Sequence, residues 1–219
     1  MRTRRAHRIG ASLHVDTIAL LSAVGGLAWA SGFRLYLVIF LAGLLSRLGF
    51  LPLPGDLHLL QHEYVLVASA SMACVEFLAD KIPLVDSVWD AVHTFIRIPA
   101  AAVLTGAAVG ADSTAVTLAA AILGGTIATG AHLTKAGTRA VINASPEPFS
   151  NWAASFTEDG MVLGGLWLAL AFPWVFLLLL AAFLGLAVWL VPKLWRGVRA
   201  LFRRLAGRAR TTVPPGEGA

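Results

Sequence analysis

Long apolar runs fill most of the chain, and polar residues break them at a few places. The first run covers residues 13–30, with Asp16 near its start. Ser31-Gly32 interrupts it, and a second run, 35–50, follows at once. At about 16 residues the second run is short of the roughly 20 that a helix needs to cross a bilayer. Pro52, Pro54 and Gly55 then make a turn. Residues 58–80 are apolar in the middle and polar at both ends, and Lys81-Ile82-Pro83 stops them. Residues 86–97 form an amphipathic stretch that leads into the small-residue segment 98–111. Asp112-Ser113-Thr114 can cap the next helix, which reaches about residue 130. Its Gly124-Gly125 pair and many alanines suit close helix packing. Residues 132–159 are the least hydrophobic interior region. They contain Ser145-Pro146-Glu147-Pro148, which cannot be regular helix. The last block, 160–191, is too long for one untilted span, and Pro173 divides it.

The pattern predicts an all-α fold: a polytopic transmembrane helical bundle with short or broken helices and an internal repeat. Four full spans plus two half-spans fit the lengths as well as six complete spans. Breaks are expected at Gly32, Arg34, Gly130, Pro146 and Pro148. The repeat is read from Ala30-Ser31-Gly32-Phe33-Arg34-Leu35 against Ala128-Thr129-Gly130-Ala131-His132-Leu133. Each follows an apolar helix and precedes a double-proline turn and an acidic element. Duplicated folds with helices broken at matching places are a habit of transporters. The expected organisation is a basic N-terminal tail (1–12), a transmembrane domain (13–191), a basic amphipathic interfacial helix (192–210) and a disordered tail (211–219). In the third of these, Leu194, Trp195, Val198, Leu201, Phe202 and Leu205 share one face.

Composition agrees with a membrane domain: 58% of residues are hydrophobic and 13% charged, too few charges for the surface of a large soluble domain. Of 17 Lys and Arg, four lie in the first eight residues and seven between Lys193 and Arg210. Basic flanks of this kind set topology, so both termini are expected on the cytoplasmic side of a bacterial inner membrane, against anionic lipid headgroups. The tails account for the basic pI, and nucleic acid is not an expected partner. The first apolar run is expected to stay as a span rather than be cleaved as a signal peptide. Cys74 lies in an apolar stretch and reads as a packing residue. Small-residue helices point to a homo-oligomer.

The charges left between the tails are the candidate chemistry, because charge inside a bilayer is expensive. Glu76 and Asp80 are four apart and share a helical face, with Lys81 next to them. Asp86, Asp90, His93 and Arg97 are spaced 4, 3 and 4 and form one stripe. His132, Lys135, Arg139 and Asn143 are spaced 3, 4 and 4 and form a basic, polar stripe, with Glu158 and Asp159 further on. Facing stripes of opposite charge suit an ion or polar-solute pathway, in which carboxylates bind and release a cation or proton. Glu76, Asp80, Asp86 and Asp90 are hard oxygen donors for a cation, which is the one cofactor expected, with Glu76 and Asp80 the first candidates for a metal. No nucleophile elbow or metalloprotease motif frames the Ser, His and Asp residues, so an enzyme is not expected. The alternative is a non-transporting oligomeric scaffold or lipid-binding protein that holds the same charges as closed ion pairs. A transporter needs the Asp80 and Arg139 region in contact with a polar cavity.

Ala30-Ser-Gly-Phe-Arg-Leu-Tyr36 resembles the opening motif of a bacterial membrane family known as domain of unknown function four-one-two-six. So do Glu76 with Asp80-Lys81-Ile-Pro83 and Asp86, and His132-Leu-Thr-Lys135-Ala-Gly-Thr-Arg139 with Ser145-Pro-Glu-Pro148. The resemblance covers roughly residues 14–190 and implies an integral membrane protein without an assigned activity. A looser resemblance is to cation exchangers that carry Glu-x-Gly-Asp-Lys/Arg in two inverted copies. Here Glu76 and Asp80-Lys81 stand one residue further apart, and Ala79 replaces the glycine.

Overall fold

The computed structural model describes residues 2–211 apart from 54, 83, 111–112 and 144–147, and leaves out the side chains of residues 2–16, 148, 201–202 and 204–211. The expected break at Pro146 and the tail 212–219 lie outside the described residues, as do Pro54, Pro83, Asp112 and most of the basic tail side chains.

The described residues form helices and no strand. These are α1 (Arg2–Arg47), a 3-10 helix (Gly55–Gln61), α2 (Glu63–Ala79), α3 (Val85–Val109), α4 (Thr114–Ile142), α5 (Pro148–Ala171) and α6 (Pro173–Thr211). Four segments are long and apolar enough to cross a membrane: Thr17–Arg47, Val85–Val109, Thr114–Ile142 and Pro173–Ala200. Large apolar side chains such as Phe95, Val103, Leu123, Leu178 and Val188 are exposed, while Arg34, Arg97, Lys135 and Arg139 are buried. That distribution is inside out for water and right for lipid, where the outer surface meets hydrocarbon and charges pair within. The chain is a helical membrane protein.

α1 is the central element, with 67% of its apolar window buried against 17% for that of α6. It is not straight. At Arg34 the backbone leaves helical values (φ −142°, ψ 70°). Ala23 and Leu27 before the bend line the same cavity as Leu41, Ala42 and Leu45 after it, against Leu163 and Leu166 of α5. In a straight helix Ala23 and Leu41 would stand about 27 Å apart. The runs 13–30 and 35–50 are therefore two arms of one bent element, with Arg34 at the apex. The chain stays helical through Gly32, where a Cβ would come within 2.6 Å of the Ala128 carbonyl oxygen and the Ala131 Cβ. Here the two halves of the suspected repeat cross. Gly130, an expected break, lies inside unbroken α4. Hydrocarbon offers no water to take over a freed backbone group, so a lone glycine does not open the helix.

The remaining helices run alternately up and down. Asp86 meets Asn143, Thr94 meets His132 and Thr105 meets Gly124, so α3 and α4 are antiparallel. α5 returns along α4, with Asn151 at Asn143 and Glu158 at Lys135. α6 follows α4 in the same direction, Leu184 beside Gly130 and Leu194 beside Gly137. The first arm of α1 starts where α5 ends: Ser22 Oγ donates to the Ala169 carbonyl at 2.8 Å. The described bundle is thus entered near the α5–α6 junction and left past Leu194 at its other end. Both termini on one face needs an even number of crossings, and the bend at Arg34 turns the second arm of α1 back toward the end from which the first arm came.

α6 runs unbroken through Pro192 to Thr211, so the basic stretch 192–210 is helical and continuous with the apolar part of α6. Pro148 begins α5, a position where its missing N–H costs no hydrogen bond. Cys74 is exposed on α2 and is not a packing residue.

Candidate functional site

Three helix interruptions meet inside the bundle. α1 bends at Arg34, α2 ends at its C-cap Asp80, and α3 starts after Leu84, whose φ of 74° puts a non-glycine residue in the left-handed region. Charged side chains converge on these interruptions from α1, α2, α3, α4 and α5.

Asp80 is the hub. Its Oδ2 pairs with Arg34 Nη1, lies 3.0 Å from Lys135 Nζ and 3.8 Å from Arg139 Nη2. Arg34, at the bend, also reaches α5: Nη2 donates to Ser155 Oγ at 2.9 Å, and Nε lies 2.7 Å from Asp159 Oδ1. Lys135 sits 3.5 Å from Asp90 Oδ1 and 3.6 Å from Glu158 Oε2, and it donates to the Phe33 carbonyl at 3.3 Å. That carbonyl stands one residue before the bend, where the helical ladder is interrupted.

Arg97 joins α2 to α3. Its Nη2 pairs with Glu76 Oε1, and its Nη1 donates to Asp90 Oδ1 at 2.8 Å. The same Nη1 reaches His132 Nδ1 at 3.2 Å, while His132 Nε2 lies 2.7 Å from Thr94 Oγ1. A guanidinium cannot accept a hydrogen bond, so Nδ1 accepts, Nε2 carries the hydrogen, and the His132 ring is neutral. Arg139 forms a two-pronged pair with Glu158, Nε to Oε1 at 2.9 Å and Nη2 to Oε2 at 3.0 Å. Its Nη1 donates to the carbonyls of Asn151 (3.0 Å) and Asp80 (3.2 Å). Asp86 stands apart: Asn143 Nδ2 donates to its Oδ2 at 3.0 Å, and it has no ion pair among the described residues.

The acidic and basic stripes therefore face each other, with Glu76, Asp80, Asp90, Arg97, Lys135, Arg139 and Glu158 in one network and Asp159 at its rim. Two of the expected residues lie at the edge or elsewhere. Lys81 donates to the Phe77 carbonyl at 3.1 Å, over the Phe77 ring, and reaches the network only through Ser155 Oγ at 3.4 Å. His93 is buried against Tyr36 Oη (3.2 Å) and the Trp89 carbonyl (2.8 Å) and touches no carboxylate. Arg34, expected only as a break, is a principal cation of the site. Asn151 and Ser155 were missed, although Asn151, Ser155 and Glu158 carry a helical spacing of 4 and 3 that marks one polar face of α5. A cavity of about 230 Å³ reaches the network from the side, lined by Arg34, Glu76 and Asp159 among Leu37, Ala73, Phe77 and Leu163.

Such a cluster can hold and exchange small positive charge, since buried carboxylates are stable only when paired or neutralised. No curated protein and no solved structure matches the chain, so the looser likeness to cation exchangers gains no support there. The family model described as Domain of unknown function (DUF4126) matches residues 21–193, which takes in α2 to α5, nearly all of the bent core of α1 and the apolar part of α6. By that match the chain belongs to the DUF4126 family.

Proposed function

We propose that the protein carries a small ion or polar solute across the membrane, with the buried carboxylates as binding groups and Arg34, Arg97, Lys135 and Arg139 as their counter-charges. The observation that carries this reading is the coincidence of three helix interruptions with one buried charge network. Interrupted helices inside a bilayer expose backbone groups, and membrane proteins keep them where a polar solute is bound. The cavity beside Arg34, Glu76 and Asp159 supports access to the network. The reading involves no enzymatic step. It places the protein in a bacterial inner membrane, as a homo-oligomer, with the basic end of α6 on the cytoplasmic face among anionic lipids.

A second reading, a non-transporting scaffold or lipid-binding protein, is favoured by the closure of the network: Asp80 and Arg97 are 0% exposed and Arg139 is 1% exposed. Purified protein in liposomes separates the two. Transport predicts flux of a cation, proton or phosphate that is lost in the Glu76→Gln/Asp80→Asn double variant. Absence of flux for every ion, from folded protein, leaves the scaffold.

A further inference from the structure

One oxygen from each of Asp80, Asp86 and Asp90 lies within 4.8 Å of one oxygen from each of the others. Acidic clusters are common, and a second feature makes this one a site. Each of the three turns one oxygen to its partners and keeps the other without any: Asp80 Oδ1, Asp86 Oδ1 and Asp90 Oδ2 are buried with no hydrogen bond. The residues are 0%, 0% and 2% exposed, so bulk water does not serve these oxygens. A buried anionic oxygen without a donor carries a desolvation penalty of several kcal/mol in general, which a bound positive charge removes.

The charge balance says which charge is missing. Five buried carboxylic residues (Glu76, Asp80, Asp86, Asp90, Glu158) face four buried cations (Arg34, Arg97, Lys135, Arg139). At the rim Asp159 lies 2.7 Å from Arg34 Nε and Lys81 donates to Ser155 Oγ at 3.4 Å, which adds one charge of each sign and leaves the balance unchanged, and neither His93 nor His132 pairs with a carboxylate. One negative charge is left over. It belongs to Asp86, the member with an amide partner in place of a cation. Asp80 stands at the C-terminal end of α2, where the helix dipole also favours positive charge.

We propose that Asp80, Asp86 and Asp90 bind one small monovalent cation of sodium's size, the ion whose movement the transport reading describes and on which this assignment rests. Hard cations of this radius hold oxygens at about 2.3–2.6 Å, which places ligands on opposite sides of the ion at up to about 5 Å from each other. A single charge brings the cluster to neutrality, whereas a divalent ion would leave it positive beside Lys135 and Arg97.

The test is equilibrium binding of radioactive sodium to purified full-length protein in detergent, with choline holding the ionic strength constant. Wild-type protein is compared with Asp86→Asn and with Asp56→Asn, an exposed carboxylate on the 3-10 helix outside the network, and competing calcium and low pH form the other arms. The expected result is saturable binding of one sodium per chain, lost in Asp86→Asn and retained in Asp56→Asn. Binding of calcium in place of sodium overturns the assignment to a monovalent ion. Absence of any metal binding, with proton uptake lost in Asp86→Asn, overturns it in favour of a proton. If Asp86→Asn does not fold, Asp86→Glu moves the charge by one methylene and must weaken sodium binding; unchanged binding contradicts the site. Sodium binding without flux in liposomes leaves the site standing and removes the transport reading. Flux without sodium binding does the reverse.

Discussion

Replacing Arg97 by glutamine tests the network at its least exposed cation. The side chain is fully buried and holds Glu76 and Asp90, which come from different helices. At the 2.8 Å separation of Arg97 and Asp90, the gross attraction is about 6 kcal/mol at an effective dielectric of about 20. Desolvation of the two ions offsets most of it. What the variant loses is set by the carboxylates left behind without a partner, and breaking a buried pair by removing one member costs about 3–5 kcal/mol. Arg97→Gln should fall in that range. Adding Glu76→Gln removes one of the stranded charges and should return about 1–3 kcal/mol, the coupling expected of residues in one network. Reversible unfolding of the purified protein in bicelles measures all corners of the cycle. A loss below about 1 kcal/mol for Arg97→Gln, or a double variant weaker than the single one, would refute the reasoning.

Other expectations follow from separate parts of the molecule. Gly32→Val should destabilise the bundle by about 1–3 kcal/mol, since any Cβ at this position meets the Ala128 carbonyl; thermal unfolding checks it, and an unchanged midpoint argues against the crossing of α1 and α4. Glu158→Gln should lower stability more than Asp159→Asn, because Glu158 holds Arg139 by two bonds while Asp159 stands at the rim; equal losses would contradict the division. The bend at Arg34 puts the start of the first arm of α1 and the later part of α6 at opposite ends of the described bundle, so cysteines introduced at Ala19 and Ala200 should be labelled from opposite faces, and labelling of both from one face would reject the folded-back α1. Cys74 should react with an apolar maleimide without any prior unfolding, and protection in the native protein would contradict its exposure.

Much of the architecture was legible because membrane helices obey few rules. Length and apolarity mark α6 and the first half of α4, the amphipathic stretch 86–97 and the small-residue segment after it are one helix, α3, and the division of the last block at Pro173 is where α5 passes to α6. The spacing of 3 and 4 among Asp86, Asp90 and Arg97, and among His132, Lys135 and Arg139, marks two inward faces before any partner is known. What spacing cannot carry is which stripe meets which. Arg34 belongs to no stripe, and its partners Asp80 and Ser155 lie 46 and 121 residues away, so its local setting suggested a break and not an ion pair. The glycine motifs misled in the opposite sense: Gly32 serves close packing and Gly130 lies inside an unbroken helix, while the real interruption falls where a charged side chain turns inward. Asn151 and Ser155 were visible in the spacing of α5, but neutral side chains draw less notice than charged ones.

The most direct test of the central claim is the current produced when proteoliposomes meet a sodium step on a supported membrane. The account predicts a transient charge displacement for the wild type that is lost in Asp80→Asn, the variant at the hub of the network, while expression and folding persist. A current of the same size in well-folded Asp80→Asn protein, or none in the wild type for any cation, would contradict it.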